Sequence, residues 1–414
     1  MSDAHPLRRV EEEEFDAWAR AVANTYGEDL DEAQLSHART AIEFDRTIGA
    51  FEGRTPIGGA AAFTRSMTIP GAVQPIAAVT WVGVCPTHRR RRILTSMMRE
   101  QLTDLHESGR EPIAALHASE AGIYGRFGYG LAARGAPLEA DRRGMTLRPD
   151  VDLGDGTVRL LDRGAAGPLL AEVYEAVRGD AVGWLDRGEA FWNALLRDDR
   201  HVRDGATSLR FAVHRSPDGS ATGYVLYRLR TDGDHDPNGT VLVVELAAVT
   251  RQAYAALWHF LVSIDLLPRI SCEVAVDEPL PHLLLDPRAA RTTAVDRLWV
   301  RLVDVDRALA SRRYATPLDL VLDVEDSFCP WNAGRYRLLA DGDAVTCERT
   351  RSAPDLRLSS AELGAAFLGG TTLSSLAAAG RVEELRPGAI SRATTAFRGE
   401  REPFHPSGAS FPGI

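Results

Sequence analysis

VGVCPTHRRRRIL, residues 82–94, decides how this chain is read. Val82 and Val84 end a nearly continuous apolar run, QPIAAVTWVGV, of the kind that forms a buried strand. Pro86 stops it, because proline cannot donate to a ladder. Four arginines follow, and then Ile93, Leu94, Met97, Met98, Gln101, Leu102 and Leu105 recur at helical spacing as one mostly apolar stripe. Gly109 ends that helix. The junction is therefore strand, turn, helix. Free N–H groups and the positive dipole end make such a helix start an anion site. Arginines at this end are disfavoured by the dipole, and a bound anion such as a pyrophosphate would compensate them.

The same grammar extends in both directions. EFDAWARAVANTYG reads as a helix, and RTIGAFEGRTPIGGAAAFTRSMTIPG as two strands turning at Gly53. EPIAALHAS is the strand after the helix. LHASEAGIYGRFGYG then follows, too glycine-rich for an ordinary helix and too aromatic for a solvent loop. Residues 146–292 repeat the theme weakly. The helical stretch 166–198 comes first, then the hairpin LRFAVHRSPDGSATGYVLYRLR, the strand GTVLVVELAAV and the helix TRQAYAALWHFLVSID. Hairpin, buried strand and helix thus occur twice in one order, as a duplicated α/β unit would give. From LWVRLV onward, strands precede short helices and the pattern becomes α+β. The final FRGEREPFHPSGASFPGI, rich in Pro and Gly, reads as an extended tail.

Composition narrows the function. The 414 residues exceed one small core, and the hydrophobic and charged fractions, 44% and 26%, are those of a soluble globular chain. The net charge of −10 disfavours a nucleic-acid binder and suits a cationic substrate. All 48 basic residues are arginine. The four cysteines lack zinc or disulfide spacing, so no metal is expected. The polar, acidic beginning of the chain has no signal-peptide core and no stretch suits a membrane span, so a cytoplasmic protein without membrane contact is expected.

The junction resembles the coenzyme A pyrophosphate loop of GNAT acetyltransferases, Arg/Gln-x-x-Gly-x-Gly/Ala. Arg89 matches its first position, while Arg92 and Leu94 replace the small residues. PTHRRRRILTSMM, ASEAGIYGRFGYG, VELAAVTRQAYAALWHFL, SFCPWNAGRYRL and APDLRLSSAELGAAFLGG together resemble the Eis family of acetyltransferases, in order from about residue 80 to 385. The resemblance implies tandem GNAT domains, the second degenerate, before a sterol-carrier-protein-like α+β domain. The expected boundaries are 1–145, 146–292 and 293–414. It also implies a homo-hexamer, and transfer of acetyl from acetyl-CoA to primary amines of aminoglycosides, polyamine-like molecules or peptide lysines.

Residue by residue, the resemblance makes Tyr124 the general acid and the terminal carboxylate, here of Ile414, the base. The family usually ends in an aromatic, and Ile414 departs from that. Acetyl-CoA would be held by the backbone of Val82, Gly83 and Val84, by Arg89, Arg90, Arg91, Arg92, Ile93, Leu94 and Thr95, and near Ser119 and Glu120. Trp81 would face the amine. Of the acids in YGEDLDE, namely Glu28, Asp29, Asp31 and Glu32, the sequence does not say which points inward. In the second unit Tyr254 replaces the loop glycine, so no coenzyme is expected there. A competing expectation is a lipid or small-molecule binding protein built on a relic acetyltransferase fold.

Overall fold

The computed structural model describes residues 5–231 and 239–406. Ile414, the expected terminal base, lies outside the described residues. The first unit contributes β1 (Leu7–Arg9), β2 (Thr47–Glu52), β3 (Thr55–Ile69), β4 (Ala72–Val84), β5 (Ile113–His117) and β6 (Gly130–Asp141). The second contributes β7 (Thr157–Leu161), β8 (Arg210–Arg215), β9 (Ala221–Arg230), β10 (Thr240–Ala248), β11 (Arg269–Ala275) and β12 (Arg291–Thr292). Then come β13 (Val295–Leu302), β14 (Leu318–Glu325), β15 (Gly334–Asp341), β16 (Ala344–Arg349), β17 (Leu356–Ser359) and β18 (Val382–Glu384).

One sheet runs β1-β2-β3-β4-β5-β13-β6-β11-β10-β9-β8-β7, with β12 beside β6. A second runs β16-β15-β14-β17-β18. The duplication is visible in the ladders. β2, β3 and β4 are antiparallel, and β4 then pairs parallel with β5. β8, β9 and β10 are antiparallel, and β10 then pairs parallel with β11. Each parallel pair needs a crossover, supplied by the helices Ile93–Ser108 and Arg251–Val262. Gly109, at φ +63°, closes the first of these with a left-handed cap.

The structure departs from the sequence reading at two places. β13, expected at the start of the third domain, lies in the large sheet between β5 and β6. It pairs antiparallel with both, Leu298 opposite His117 and Val300 opposite Gly130. The reason is β5. Four of its five residues are buried, so its free edge cannot be left to water and takes a strand from elsewhere in the chain. Arg301 on β13 then forms a fully buried pair with Asp326 of the third unit. Second, residues 166–198 are two helices, Arg163–Arg178 and Glu189–Leu195. Between them the chain bonds to β3, through Thr68 N–H to the Trp184 carbonyl (2.9 Å) and Gly183 N–H to the Thr68 carbonyl (2.8 Å). A tertiary ladder outcompetes helix propensity there.

Two glycines let the third unit dock on the first. The helix Ser360–Ala366 crosses β6 and β13 so closely that a Cβ on Gly130 would overlap the Ala361 carbonyl. A Cβ on Gly364 would overlap the Val300 carbonyl. The core is correspondingly shared: Trp18, Ile113 and Val300 join one cluster with Leu320, Leu363 and Phe367. The interior of the third unit is filled by side chains, Leu322, Leu338 and Leu358 among them. Among the described residues no helix is long and apolar enough to cross a membrane.

Candidate active site

β4 and β5 pair only from Ile76–Ile113 to Ala78–Ala115 and then diverge. The chain following each arm supplies the candidate residues. On the β4 arm, Gly59 pairs with Gly83 and Ala61 with Thr80, so Ala60 faces both Trp81 and Val82. That is a β-bulge, which releases peptide groups from the ladder. Trp81 adopts φ +54°, a left-handed backbone rarely tolerated by a bulky residue. The turn swings its indole inward, 5.4 Å from Trp18 and 6.5 Å from Phe15. Trp81 is 4% exposed. Trp81 thus packs against Trp18 and Phe15 behind the bulge and presents no exposed face.

Beyond Val84 lie a short turn, Pro86–His88, and the four exposed arginines. Arg90 and Arg92 both have φ +65°. Arg92, which stands where the loop pattern has glycine, thus keeps the backbone glycine would take. Each such residue costs about 1–2 kcal/mol. Strain of this kind gathers at ligand sites, and left-handed residues in a turn draw N–H groups into an anion-binding concavity. No side chain caps the 16-residue helix that starts at Ile93. Its first N–H groups, on Ile93, Leu94 and Thr95, remain available to an anion.

On the β5 arm, exposed Ser119 and Glu120 lead into a single helical turn, Ala121–Tyr124, and a tighter one, Gly125–Phe127. Tyr124 is 4% exposed, its ring 6.0 Å from that of Tyr129 and steeply inclined to it. Burial pushes its phenol above the ordinary range, and the nearby Tyr26 and Glu120 push the same way. Tyr124 is therefore a protonated donor throughout the neutral range. The glycines around it have unequal roles. Gly128 needs its φ of +83° and abuts the Arg301 guanidinium, whereas Gly122 and Gly125 face open space.

Tyr26 and His405 carried no signal of their own in the sequence. The Tyr26 hydroxyl donates to the Val82 carbonyl (2.5 Å). Desolvation, with Glu28 adding to it, raises the Tyr26 pKa, and partial burial pushes the Glu28 carboxyl up in turn. Among the four acids Asp31 caps the next helix (Gln34 N–H to Oδ1, 2.7 Å) and Glu32 pairs with Arg20 (2.6 Å). Asp29 is exposed, and Glu28 is the acid of that stretch that acts on Tyr26. At the other end of the chain, Phe404 N–H bonds the Val182 carbonyl (3.0 Å), and His405 is fully buried against His117, the last residue of β5. The tail therefore enters beside the arm that carries Tyr124.

The second unit has the same splay but a closed helix start. Thr250 Oγ1 accepts from Ala253 N–H (3.1 Å), Gln252 bonds Asp152 (2.8 Å), and Asp152 lies 3.8 Å from Arg251. Tyr254 turns inward and donates to Glu278. Thr250 thus takes one helix-start N–H group, and Asp152 already partners the Gln252 and Arg251 side chains. Among the described residues no three His, Cys, Asp or Glu side chains are grouped to hold a metal ion.

A splayed β4–β5 pair, a bulge on one arm, an anion-binding helix start and a buried phenol on the other define a GNAT acetyltransferase centre. Comparison with known proteins agrees. Residues 6–132 and 183–302 each match a family described as acetyltransferase (GNAT) domain, and residues 305–406 match the sterol carrier protein domain. The chain is 36% identical to the N-acetyltransferase Eis of Mycobacterium tuberculosis, over 87% of this chain and 88% of that one. It is 42% identical to an uncharacterized N-acetyltransferase of Streptomyces avermitilis, over 97% and 99%. The crystal structure of Eis1 from Mycobacterium abscessus superposes with a TM-score of 0.84 at 35% identity, covering 98% of this chain and all of that one. The chain belongs to the Eis family of N-acetyltransferases, with two GNAT domains followed by a sterol-carrier-like domain.

Proposed function

We propose that the protein moves the acetyl group of acetyl-CoA directly onto a primary amine of an aminoglycoside, a polyamine-like molecule or a peptide lysine. The observation that carries this is Tyr124, a buried, protonated phenol on one arm of the splay, packed in one cluster with Val79 and Val82 of the bulged strand. The coenzyme is a co-substrate. Its pyrophosphate would sit on the Arg89–Thr95 backbone and arginines, and its pantetheine along Val82, Gly83 and Val84. The left-handed backbone at Arg90 and Arg92 supports that placement. Ser119 and Glu120, exposed at the start of the Tyr124 turn, flank the thioester end.

The amine nitrogen attacks the thioester carbonyl, forming the N–C bond. The C–S bond breaks, and Tyr124 gives its proton to the departing sulfur. The nitrogen of the new amide gives up a proton that restores the Tyr124 phenol, and the substrate ammonium, of ordinary pKa near ~10.4, must lose another before it attacks. We assign that to the carboxylate of Ile414. His405 supports this, because the eight residues after Pro406 can span up to about 27 Å from beside β5. Glu28 attracts the cationic amine. The closed helix start of the second unit argues for one coenzyme per chain.

The carboxyl-terminal base, the hexamer and a cytoplasmic setting without nucleic-acid or membrane partners are parts of the same proposal. The net charge of −10 supports the last of these. The test is thiol release from acetyl-CoA with kanamycin, spermidine and a lysine peptide, with mass spectrometry of the products. Acetylated amine from at least one is expected. No turnover with any would overturn the proposal. Light scattering and cell fractionation check assembly and compartment.

A further inference from the structure

Resting on the acetyltransferase reading, we propose that Tyr26 is a positioning residue for the thioester. Its hydroxyl holds the bulged Val82 peptide of β4 in the geometry that receives the acetyl end of the coenzyme.

The bulge is where the sheet stops satisfying itself. With Ala60 opposite two residues, the peptides of Trp81 and Val82 fall outside regular pairing. A buried or half-buried carbonyl released in this way needs a donor from elsewhere. The Tyr26 hydroxyl supplies it to Val82 at 2.5 Å. Without that bond nothing from α-helical or strand pairing would fix which way the Val82 peptide turns, and the coenzyme would have to order it on binding.

Tyr26 is itself rigidly placed. It lies just past the helix Phe15–Asn24, and three bonds close the turn: Thr25 N–H to Val22 (2.9 Å), Tyr26 N–H to Ala23 (2.9 Å) and Gly27 N–H to Asn24 (3.2 Å). Gly27, at φ +79°, then reverses the chain. Thr25 packs on Gly83 so tightly that a Cβ on Gly83 would overlap its hydroxyl. Two consecutive residues of the turn thus meet two consecutive residues of the bulged strand. Trp81 holds the bulge from behind through Trp18, on the same helix.

The phenol is suited to donate and unsuited to proton transfer. Although the ring is 39% exposed, desolvation where the hydroxyl meets the Val82 carbonyl, with Glu28 adding, pushes its pKa up to about 12. It stays protonated across the working range. Tyr124 feels Tyr26 electrostatically from the opposite arm. Their tasks differ: Tyr124 serves the sulfur and Tyr26 serves the main chain.

The test is Tyr26→Phe, which keeps the ring and removes the donor. Calorimetry with coenzyme A and with acetyl-CoA should show Kd raised about 3–10-fold, the range for losing one hydrogen bond. The KM for acetyl-CoA should rise in step. The amine KM, the pH profile of kcat and the melting temperature should stay as in the wild type. Unchanged coenzyme affinity would overturn the proposal. So would a rise confined to the amine KM, which would make Tyr26 part of the amine pocket. Binding is read without turnover, so the result stands whether or not the chosen amine is a substrate. Failure of the wild type to bind coenzyme A would instead overturn the acetyltransferase reading on which this rests.

Discussion

The imidazoles of His405 and His117 meet edge to face, 5.1 Å between ring centres, and so tie the end of the chain to the end of β5. Both rings are held neutral. Burial lowers the His117 pKa from 6.5 to about 4, with Arg297 helping and Asp296 opposing. Burial also drives His405 well down, with His117, Arg65 and Arg187 adding to the effect. Arg65 and Arg187 are themselves paired with Asp186 and Glu245.

The sign of the pH effect follows. A histidine depressed when docked binds a proton more tightly once released, so protonation favours release. The stabilisation is whole above pH 6.5 and is lost progressively as pH falls toward 4. Activity should therefore show an acid limb below pH 6.5 that accompanies faster proteolysis of the tail. His405→Phe keeps the packing and removes one titration. Its kcat at pH 5.5 relative to pH 7.5 should be at least ~2-fold higher than in the wild type. An unchanged ratio would mean the pair does not govern docking.

Arg92→Gly separates backbone from side chain in the phosphate loop. Relief of the left-handed strain gains about 1–2 kcal/mol. The looser unfolded chain offsets roughly 0.4–1 kcal/mol of that. The melting temperature should thus rise slightly or hold, and the KM for acetyl-CoA should change less than about threefold. A tenfold rise would show that the Arg92 side chain grips phosphate itself.

The glycines of IYGRFGYG should divide sharply. Gly125 has helical angles and an open surround, so Gly125→Ala should stabilise by about 0.5–1 kcal/mol. Gly130→Ala forces a methyl group into the Ala361 carbonyl and the Ala365 amide, both main chain in a packed helix. It should cost about 3 kcal/mol or more, or abolish soluble expression. Equal melting temperatures for the two variants would contradict the docking of the third unit on β6.

Calorimetric titration with acetyl-CoA should saturate at one site per chain. Thr250 already caps the helix start of the second unit, and Asp152 already holds the Gln252 side chain beside it. Two equivalent sites would overturn the assignment of that unit as scaffold.

Much of this was legible in the sequence because it is local. The change from a continuous apolar run to a helical stripe across residues 82–94 is a property of thirteen adjacent residues. The second hairpin, strand and helix repeat the first at the same level. β13 was not legible in its true place, since an apolar strand does not name its ladder partner. The left-handed backbone of Trp81 was hidden for the same reason, and with it the side to which the indole turns. Tyr26 and His405 sit in ordinary-looking stretches, and only the tertiary fold brings them to the splay. Arg92 worked the other way. As a letter it breaks the loop pattern, while its φ of +65° preserves the conformation the pattern requires.

The loss of kcat in Tyr124→Phe, with coenzyme affinity measured on the same sample, bears most directly on the proposed chemistry. Removing a positioned general acid should lower kcat by about 10²–10⁴-fold at pH 7, while the Kd for acetyl-CoA stays within about twofold. A variant that releases thiol within threefold of the wild-type rate would contradict the assignment of Tyr124 as the proton donor.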